Sequence, residues 1–343
     1  WWAVYAGAAS AGAMLPLTEP APGQQSLVDK IAVFGNDSRT PLPRNMLELR
    51  NSIGLITSET EQTLCSGFCV GRRTVATAAH CLFRTAGERR PDLTSFRFLV
   101  GPPKQRRVAG IVGRRSSAIG QHVVAGSYAL RIAPPIQATR DWALMRLDRP
   151  VCAGHSLLVD NVGPKHINRI AARRRLMNVA FHGDTGNWQL TLAHSCATAS
   201  RMTKRVRGQI DRDFADTSSL VLHECDTGPA SSGSPLLALG ADNVLRVVAM
   251  NVGSYHQTRY LLTGRSVKRR FKPATVANTA VSGQAFADQI LAFTRADILS
   301  DRQSVRKLQM ALRKRHFDPG PADGIFGEQT RSAVVRFERA TAV

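Results

Sequence analysis

Short β-prone segments separated by turn residues fill most of the sequence between residues 53 and 251, and this pattern most constrains the fold. Gly, Pro and paired Arg residues punctuate the segments, and no long helical pattern alternates with them. Many short strands at this spacing favour antiparallel barrels or sandwiches over a β-α-β arrangement. We interpret residues 161–165 as the connection between two β subdomains. The predicted strands are 53–56, 65–70, 74–79, 96–100, 107–112, 122–124, 128–132, 142–147, 176–181, 189–194, 219–223, 235–239 and 245–251.

The stretch from Cys225 to Pro235 reads Cys-Asp-Thr-Gly-Pro-Ala-Ser-Ser-Gly-Ser-Pro and places serines in a turn of small residues. A hydrolase can present a nucleophilic hydroxyl there, because a substrate carbonyl can approach the backbone closely. Taken alone, such a cluster is more often a surface loop. Ser232 is the predicted nucleophile because it precedes Gly233 and follows Ala230 by two residues. The N–H groups of Ala230 and Ser232 are the predicted oxyanion donors.

A serine hydroxyl is a poor nucleophile without a base, and the base needs a partner that fixes its tautomer. His80 follows an apolar run, in the context Thr-Ala-Ala-His-Cys, and is the predicted base. Asp141 opens the run Asp-Trp-Ala-Leu and is the predicted orienting carboxylate. The order His80, Asp141, Ser232 is one of three unrelated orders known for this triad.

These three segments together resemble the trypsin family of serine proteases. Residues 65–81 are similar to its base segment, Asp-Trp-Ala-Leu to its aspartate segment, and Ser-Ser-Gly-Ser-Pro to its nucleophile segment. The Ser-Gly-Ser-Pro ending and residues 34–39 are closer to the bacterial glutamyl-endopeptidase-like branch. The resemblance implies two six-stranded antiparallel β-barrels of the chymotrypsin type, with the site in the cleft between them.

Two departures from the family pattern bear on activity. Ala230 stands where the family usually has Gly, because that backbone position favours a conformation easiest for Gly. A distorted oxyanion hole would give a catalytically weak or inactive relative that acts as a wall-binding or adhesion protein, which is the alternative to a secreted endopeptidase. Ser231 stands where trypsin has the Asp that receives a freed N-terminus, so activation by that ion pair is not expected.

Candidate specificity residues lie around the nucleophile. Asp226 is six residues before Ser232, where trypsin places its pocket carboxylate, which predicts Arg or Lys at P1. An Asp that caps a turn is the equal alternative. Residues 251–253, with Asn251 and Gly253, are the predicted strand that receives the substrate backbone. Glutamyl preference would require a His near Asn251, and none is there.

The six cysteines favour disulfides over a zinc site, because there is no Cys-x-x-Cys motif. The resemblance implies a Cys65–Cys81 bridge, and we also expect Cys196–Cys225. Cys69 and Cys152 either pair with each other or remain as buried thiols. Disulfides imply an oxidising compartment. The histidines show no His-Glu-x-x-His spacing, so neither a metal nor a cofactor is predicted.

The last part of the chain changes to helical patterning. Phe286, Ile290 and Phe293 fit an amphipathic helix that closes the second barrel. Further on, two apolar sets each share a helical face: Val305, Leu308, Leu312, and Ala333, Val334, Phe337. Between them lies Asp-Gly-Ile-Phe-Gly at residues 323–327. These segments resemble the three-helix peptidoglycan-binding module of secreted hydrolases, although Glu338 replaces the usual Gln. The resemblance implies that residues 300–343 bind peptidoglycan or cell wall.

The termini and the charge complete the expected organisation. Residues 1–17 are apolar and uncharged, so residues 1–23 are interpreted as a signal-peptide remnant or N-terminal arm. The protease domain is predicted at 24–297 and the wall-binding module at 298–343. A secreted, periplasmic or envelope-associated monomer that cleaves proteins or peptides is expected. The formal charge of +21 is interpreted as a solvated basic face rather than a polyanion site, and no motif for specific nucleic-acid recognition is present.

Overall fold

The computed structural model describes residues 32–83, 91–102, 105–111, 122–131, 134–185, 189–198, 204–257, 261–263, 266–268, 274–300 and 302–341. All the described residues belong to one compact unit, residues 31–343. The predicted signal-peptide remnant at residues 1–23 falls outside the described residues.

Strands predominate in the described residues, and three of the six α-helices lie after the last strand. The helices are α1 (Leu47–Ser52), α2 (Pro164–Ala172), α3 (Lys204–Asp213), α4 (Ala287–Ser300), α5 (Arg302–Lys314) and α6 (Glu328–Thr341). The strands are β1 (Thr40–Pro41), β2 (Ile53–Ser58), β3 (Thr63–Gly71), β4 (Thr74–Thr77), β5 (Arg97–Val100), β6 (Arg107–Gly110), β7 (Val123–Ala125), β8 (Ala143–Arg146), β9 (Leu158–Val159), β10 (Leu176–Phe181), β11 (Leu190–Ala193), β12 (Leu220–His223), β13 (Pro235–Leu239), β14 (Leu245–Gln257), β15 (Leu261–Thr263), β16 (Ser266–Lys268) and β17 (Ala274–Ser282).

The first sheet is antiparallel and has the order β6-β5-β2-β3-β4-β8-β7. Its ends approach each other, because Ile111 bridges Leu147 and the Asp148 N–H donates to the Gly110 carbonyl at 3.0 Å. Strand β2 contains Gly54 at a point where any Cβ would lie 2.5 Å from the ring of Phe98. The closed sheet surrounds an apolar interior, with fully buried side chains at Phe68, Phe96, Phe98, Ile53, Ile56, Leu144 and Met145.

The second large sheet has the order β1-β11-β10-β13-β14-β17-β12, and β9 adds to β14 in parallel. Its ends are also drawn together, since Thr198 bridges His223 and a disulfide joins Cys196 to Cys225. Strands β15 and β16 pair separately. The prediction of a mainly β chain with two antiparallel sheets is confirmed. The sheets hold seven and eight strands instead of six each, because short strands such as β1, β7 and β9 extend them.

Some helices and strands were not predicted from the sequence pattern. Strand β17 reads Ala-Thr-Val-Ala-Asn-Thr-Ala-Val-Ser, and its polar residues Asn278, Thr279 and Ser282 are buried, so it shows no apolar/polar alternation. Helices α2 and α3 were not predicted; charged residues dominate α3, and α2 is short, with two buried apolar residues, Ile167 and Ala171. The segment predicted as a strand at 128–132 makes only an isolated bridge at its described residues.

All six cysteines are bridged, which confirms both expected pairs and joins the two left over. The bridges are Cys65–Cys81, Cys69–Cys152 and Cys196–Cys225. The first two lie in the first barrel and the third in the second. Each therefore fixes one barrel without crossing the cleft.

The predicted closing helix is α4, with Phe293 and, just before its first residue, Phe286 buried. It packs against β8 of the first barrel, so the prediction that it closes the second barrel is wrong. Arg146 of β8 donates to the Phe293 carbonyl at 2.9 Å and lies over its ring, which fastens α4 to the first barrel. Val305 and Leu312 are buried on α5, as predicted. The described part of 298–343 contains the end of α4 together with α5 and α6, and α5 packs against both of the other helices. None of the described helices is long and apolar enough to cross a bilayer.

Candidate active site

The histidine and the aspartate meet because their strands are neighbours. Strand β4 pairs with β8 in an antiparallel register that sets Thr77 opposite Ala143. His80 therefore follows β4 at the same end of the sheet where Asp141 precedes β8. The Asp141 carboxylate contacts the His80 Nδ1 at 2.7 Å and accepts the His80 backbone N–H at 3.0 Å. Two bonds from one carboxylate fix both the backbone and the ring of the histidine.

The two partners differ in exposure. Asp141 is only 8% exposed, whereas the His80 ring reaches solvent. A buried carboxylate bound to Nδ1 holds the proton on that nitrogen, so Nε2 is left as the basic atom. This is the arrangement that a general base requires.

The nucleophile loop, residues 225–235, connects β12 to β13 in the second barrel but rests on the first. Ser66 of β3 donates its backbone N–H to the Ser232 carbonyl at 2.8 Å and its hydroxyl to the Ala230 carbonyl at 2.8 Å. The Cys81 sulfur lies 3.8 Å from the His80 Nε2 and 3.9 Å from the Ser232 carbonyl oxygen. The loop and the base therefore share close neighbours across the cleft. Ser66 was not singled out from the sequence, although it adjoins Cys65 in the base segment.

Gly233 lets the loop approach this closely. A Cβ at this position would lie 2.2 Å from the Ser66 carbonyl oxygen and 2.3 Å from the Thr77 hydroxyl. The residue also has φ of +82°, in the region that favours glycine. Both constraints exclude any larger residue after the predicted nucleophile.

Three serines compete for the role of nucleophile, and their surroundings differ. Ser231 and Ser234 are buried, and each hydroxyl accepts from a buried amide, Asn251 at 3.3 Å and Asn178 at 2.9 Å respectively. Ser232 is partly exposed. A substrate can therefore reach Ser232 more readily than either neighbour.

One of the two predicted oxyanion donors, Ala230, lies in strained backbone. Ala230 has φ of +72°, so it adopts the glycine-type conformation that the family pattern suggested. For an alanine this costs about 1 to 2 kcal/mol. The Pro229 carbonyl accepts the Gly183 N–H at 2.8 Å. Among the described residues, no group accepts the N–H of Ala230 or of Ser232, so both donors are available.

Asp226 faces the N-terminal segment. It is 2% exposed, and it accepts the Phe34 N–H at 2.8 Å, the Ser38 N–H at 2.7 Å and the Ser38 hydroxyl at 2.6 Å. The neighbouring Thr227 pairs with Ala32 through two backbone bonds of 3.1 Å. This geometry favours the alternative in which Asp226 holds a turn over the one in which it lines a P1 pocket.

A charge cluster centred on the Arg39 side chain supports the loop from the same side. The Arg39 side chain is almost fully buried and forms 2.7 Å ion pairs with Asp37 and Asp184. Its guanidinium also lies 3.2 Å from the Nδ1 of His182. Burial, and then the Arg39 charge, lower the pKa of His182 to about 4. A Cβ on Gly228 would lie 2.4 Å from Asp184, so this cluster packs directly against the nucleophile loop.

Asn251 and Gly253 lie on β14 as predicted, but they serve different neighbours. The Asn251 carbonyl accepts the Gly233 N–H at 2.7 Å, and its N–H donates to the Ser234 carbonyl at 2.9 Å. Asn251 is thus committed to the nucleophile loop. Gly253 pairs with Thr279 across a register shift and is partly exposed, so it is the better candidate for contacting a substrate backbone.

A small pocket adjoins the base. It has a volume of about 190 Å³ and is lined by Glu61, Thr63, His80, Cys81, Leu82, Phe83, Pro91 and Phe96. Of the described residues, Cys65, His80 and Cys81 form the one group with metal-ligand spacing, but the two sulfurs are bonded to each other. A bridged sulfur offers no thiolate to a metal.

Comparisons with known proteins agree with this geometry. Residues 65–250 match the family model described as a trypsin-like peptidase domain, and residues 301–341 match a putative peptidoglycan binding domain. Comparison with curated proteins gives no match. The chain is similar to a solved structure of a Glu endopeptidase, at 14% identity and a TM-score of 0.50, over 77% of this chain and 99% of that one.

At that identity the structural similarity shows the chymotrypsin-like fold alone. The peptidase match carries more, because it spans more than half of the 343 residues and includes His80, Asp141 and Ser232. The protein therefore belongs to the trypsin-like peptidase family and carries a peptidoglycan-binding domain at residues 301–341.

Proposed function

We propose that this chain is a secreted serine endopeptidase that cleaves proteins or peptides through His80, Asp141 and Ser232. The observation that carries the proposal is the pair of hydrogen bonds by which the Asp141 carboxylate holds the ring and the backbone of His80. The nucleophile loop docks beside this pair through Ser66. The charge and burial of Asp141 and the placement of the nucleophile loop all support nucleophilic attack by a serine assisted by His80.

In the first step, the Ser232 Oγ attacks the scissile carbonyl carbon while the His80 Nε2 takes its proton. The resulting imidazolium donates its Nδ1–H to the buried Asp141 carboxylate, which stabilises the positive charge. The N–H groups of Ala230 and Ser232 donate hydrogen bonds to the former carbonyl oxygen and stabilise its negative charge. The tetrahedral intermediate collapses as His80 returns the proton to the leaving amine.

The acyl-enzyme is then hydrolysed by the same groups. His80 takes a proton from water, the hydroxide attacks the ester carbonyl, and Ser232 leaves with the proton that His80 returns. No residue outside the three and the two backbone donors is needed for either half-reaction.

The alternative of a weak or inactive relative rested on Ala230. In the structure Ala230 already has the glycine-type φ, and no group among the described residues accepts the N–H of Ala230 or of Ser232. These observations support an active enzyme. The strain of about 1 to 2 kcal/mol is small beside the several kcal/mol that an oxyanion hole supplies.

The C-terminal residues 298–343 are proposed to tether the enzyme to peptidoglycan. The Nε2 of buried Gln309 lies 3.1 Å from each of three acceptors, which share its two hydrogens: the Asp323 carboxylate, the Ile325 carbonyl and the Thr330 hydroxyl. Its Oε1 accepts the Gly324 N–H at 2.9 Å. This fixes the Asp-Gly-Ile-Phe-Gly loop from beneath and leaves the Ile325 side chain 53% exposed. A rigid loop with an exposed apolar residue suits contact with a sugar polymer.

The same features support an extracellular or cell-envelope location. Three disulfides persist in oxidising compartments, and peptidoglycan is found outside the cytoplasm. We propose that the protein acts there as a monomer, with residues 24–297 as the catalytic domain.

The catalytic proposal is tested with a fluorophosphonate probe, which labels activated serines. We expect the wild-type protein to be labelled on Ser232, and Ser232→Ala to lose labelling and casein hydrolysis together. Ser234→Ala is the matched control, because its hydroxyl is buried, and it should keep labelling. Undiminished hydrolysis by Ser232→Ala would overturn the assignment. Peptide-library profiling of the active protein then gives the P1 preference.

The tether is tested by sedimentation with purified peptidoglycan. The full chain carrying Ser232→Ala should pellet with the polymer, whereas a chain that ends at Ser300 should stay in solution. Equal recovery of both in the supernatant, or equal pelleting of both, would contradict a tether in residues 300–343.

A further inference from the structure

The oxyanion N–H of Ser232 belongs to the same peptide unit as the carbonyl of Ser231. A peptide unit is planar and trans, so its C=O and N–H point in opposite directions. A hydrogen bond accepted by the Ser231 carbonyl therefore determines where the Ser232 N–H points. The question becomes which group holds that carbonyl.

The group is the side chain of Asn251. Its Nδ2 donates to the Ser231 carbonyl at 3.2 Å and to the Ser231 hydroxyl at 3.3 Å. Asn251 is 1% exposed, and its own backbone is bonded to Gly233 and Ser234 in the same loop. The amide is thus fixed relative to the loop and shielded from water that would compete for the carbonyl.

His223 determines which way this amide faces. The Cys225 N–H can only donate, and it points at the His223 Nδ1 at 3.3 Å, so that nitrogen accepts and Nε2 carries the proton. The Nε2–H then donates to the Asn251 Oδ1 at 3.1 Å, which turns Nδ2 toward the Ser231 carbonyl. The backbone N–H of Cys225 at one end of this series of hydrogen bonds and the backbone carbonyl of Ser231 at the other fix which group donates at each step. The Asn251 amide therefore has a single consistent orientation.

We propose that Asn251 is a positioning residue that aims the Ser232 N–H into the oxyanion hole, and that His223 holds Asn251 in the donating orientation. The proposal rests on the proposed function, in which that N–H stabilises the tetrahedral intermediate. It assigns to neutral buried groups a task for which trypsin uses an ion pair to the residue before its nucleophile. Here that residue is Ser231, and Asn251 contacts it directly.

Two substitutions of Asn251 separate donation from packing. Asn251→Asp keeps an acceptor for His223 but sets a carboxylate oxygen against the Ser231 carbonyl. Asn251→Ala removes the two bonds to Ser231 and the one from His223 without adding a charge. For each we expect the fluorophosphonate labelling rate and kcat to fall on the order of 10² at nearly unchanged KM, because the loss is confined to the transition state.

A second readout tests the oxyanion hole specifically. A peptide trifluoromethyl ketone forms a tetrahedral oxyanion on the serine, whereas the matching alcohol cannot. Both are built on a sequence that the wild-type protein cleaves. The Asn251 variants should lose affinity for the ketone by a factor on the order of 10² and keep their affinity for the alcohol.

Asn278→Ala is the matched control. Asn278 is also fully buried, on the neighbouring strand, and its amide donates to the Cys225 carbonyl at 2.7 Å. That carbonyl belongs to neither oxyanion peptide. Its loss should lower the melting temperature as the Asn251 variants do, but change kcat by less than about threefold.

The outcomes distinguish this proposal from the proposed function. If the wild-type protein is not labelled at Ser232, the proposed function itself fails. If it is labelled but the folded Asn251 variants react at the wild-type rate, the positioning role is wrong. The role is also wrong if Asn278→Ala lowers kcat as much as the Asn251 variants do. Should both Asn251 variants unfold, His223→Phe tests the same relay. It fills the space but releases the amide, and kcat at the wild-type value with KM unchanged would overturn the proposal.

Discussion

The two halves of the candidate active site are held in place by different interactions. The base half depends on one charged group, because the Asp141 carboxylate binds both the backbone and the ring of His80. In the nucleophile half the supports aimed at backbone carbonyls are neutral. Pro229 accepts from the Gly183 N–H, and Ser231 accepts from the Asn251 amide.

The difference follows from what each half must do. The histidine changes charge during the reaction, so a permanent carboxylate next to it stabilises the charged form. The oxyanion N–H groups change nothing but must be aimed before the substrate arrives, and neutral bonds to the carbonyls of the same peptides achieve that without a buried charge. The base half therefore depends on a charge beside the reacting group, whereas the two oxyanion peptides are held by neutral bonds, and the charged Arg39 and Asp226 lie nearer the start of the loop.

Asp141→Asn should have the largest effect, and it acts on the base half. An asparagine can donate to the His80 Nδ1 and so move the proton to Nε2, which is then no longer basic. We expect kcat to fall on the order of 10⁴ while the protein remains folded. Steady-state kinetics and circular dichroism measure the two quantities.

Asp148→Asn provides the control for that substitution. Asp148 lies beyond the other end of β8, where its carboxylate accepts the Gly110 N–H at 3.0 Å. Its substitution should change kcat by less than about threefold. A similar loss of activity in both variants would mean that disturbance of β8, and not the tautomer of His80, explains the result.

Acid should destabilise the fold through two buried histidines beside the nucleophile loop. Burial lowers the pKa of His223 and of His182 to about 4 each, and for His182 the Arg39 charge adds to it. An unfolded histidine has a pKa near 6.5. The unfolded chain therefore binds more protons between these values, so stability is complete above pH 6.5 and declines as the pH falls toward 4.

Chemical denaturation between pH 4 and 8 measures this decline. Each histidine contributes up to about 1.4 kcal/mol for each pH unit. His223→Gln, which can keep a donor and an acceptor without titrating, should remove about half of the slope. A free energy of unfolding that stays constant from pH 6.5 to 4 would show that these two histidines are not held neutral.

The contrast between the halves also explains what the sequence could reveal. His80, Asp141 and Ser232 each lie in a short local motif, and the antiparallel register of β4 and β8 then brings the first two together. The strand pattern likewise predicted most of both sheets. The three motifs and the strand pattern depend on residues close in sequence, which is why the sequence reveals them.

The supports of the nucleophile loop depend on residues far apart in sequence. Ser66 lies on β3, Arg39 precedes β1, and His223 and Asn251 lie on strands separated by β17. A lone polar residue in a strand gives no sign of which distant carbonyl it will reach. Strand β17 was missed for a related reason, because its buried face is polar and resembles a loop.

The smallest expected effect concerns the geometry of the loop itself. Ala230→Gly removes the strain of a left-handed alanine, so the free energy of unfolding should rise by about 1 kcal/mol or less, since glycine also gains freedom in the unfolded chain. The labelling rate should stay equal or increase, because the N–H groups keep their directions. Gly233→Ala makes the opposite change in the same loop, where a Cβ would meet the Ser66 carbonyl oxygen at 2.2 Å.

That second variant should lose several kcal/mol of stability together with labelling. A Cβ would then cost little stability at Ala230 and several kcal/mol at Gly233, although both positions are left-handed. The reason is that only at Gly233 do neighbouring atoms occupy the space of the side chain. If Ala230→Gly instead lowered the labelling rate, the alanine would be contributing to the aim of the oxyanion donors. The nucleophile half would then depend on rigidity at Ala230 as well as on the anchored carbonyls.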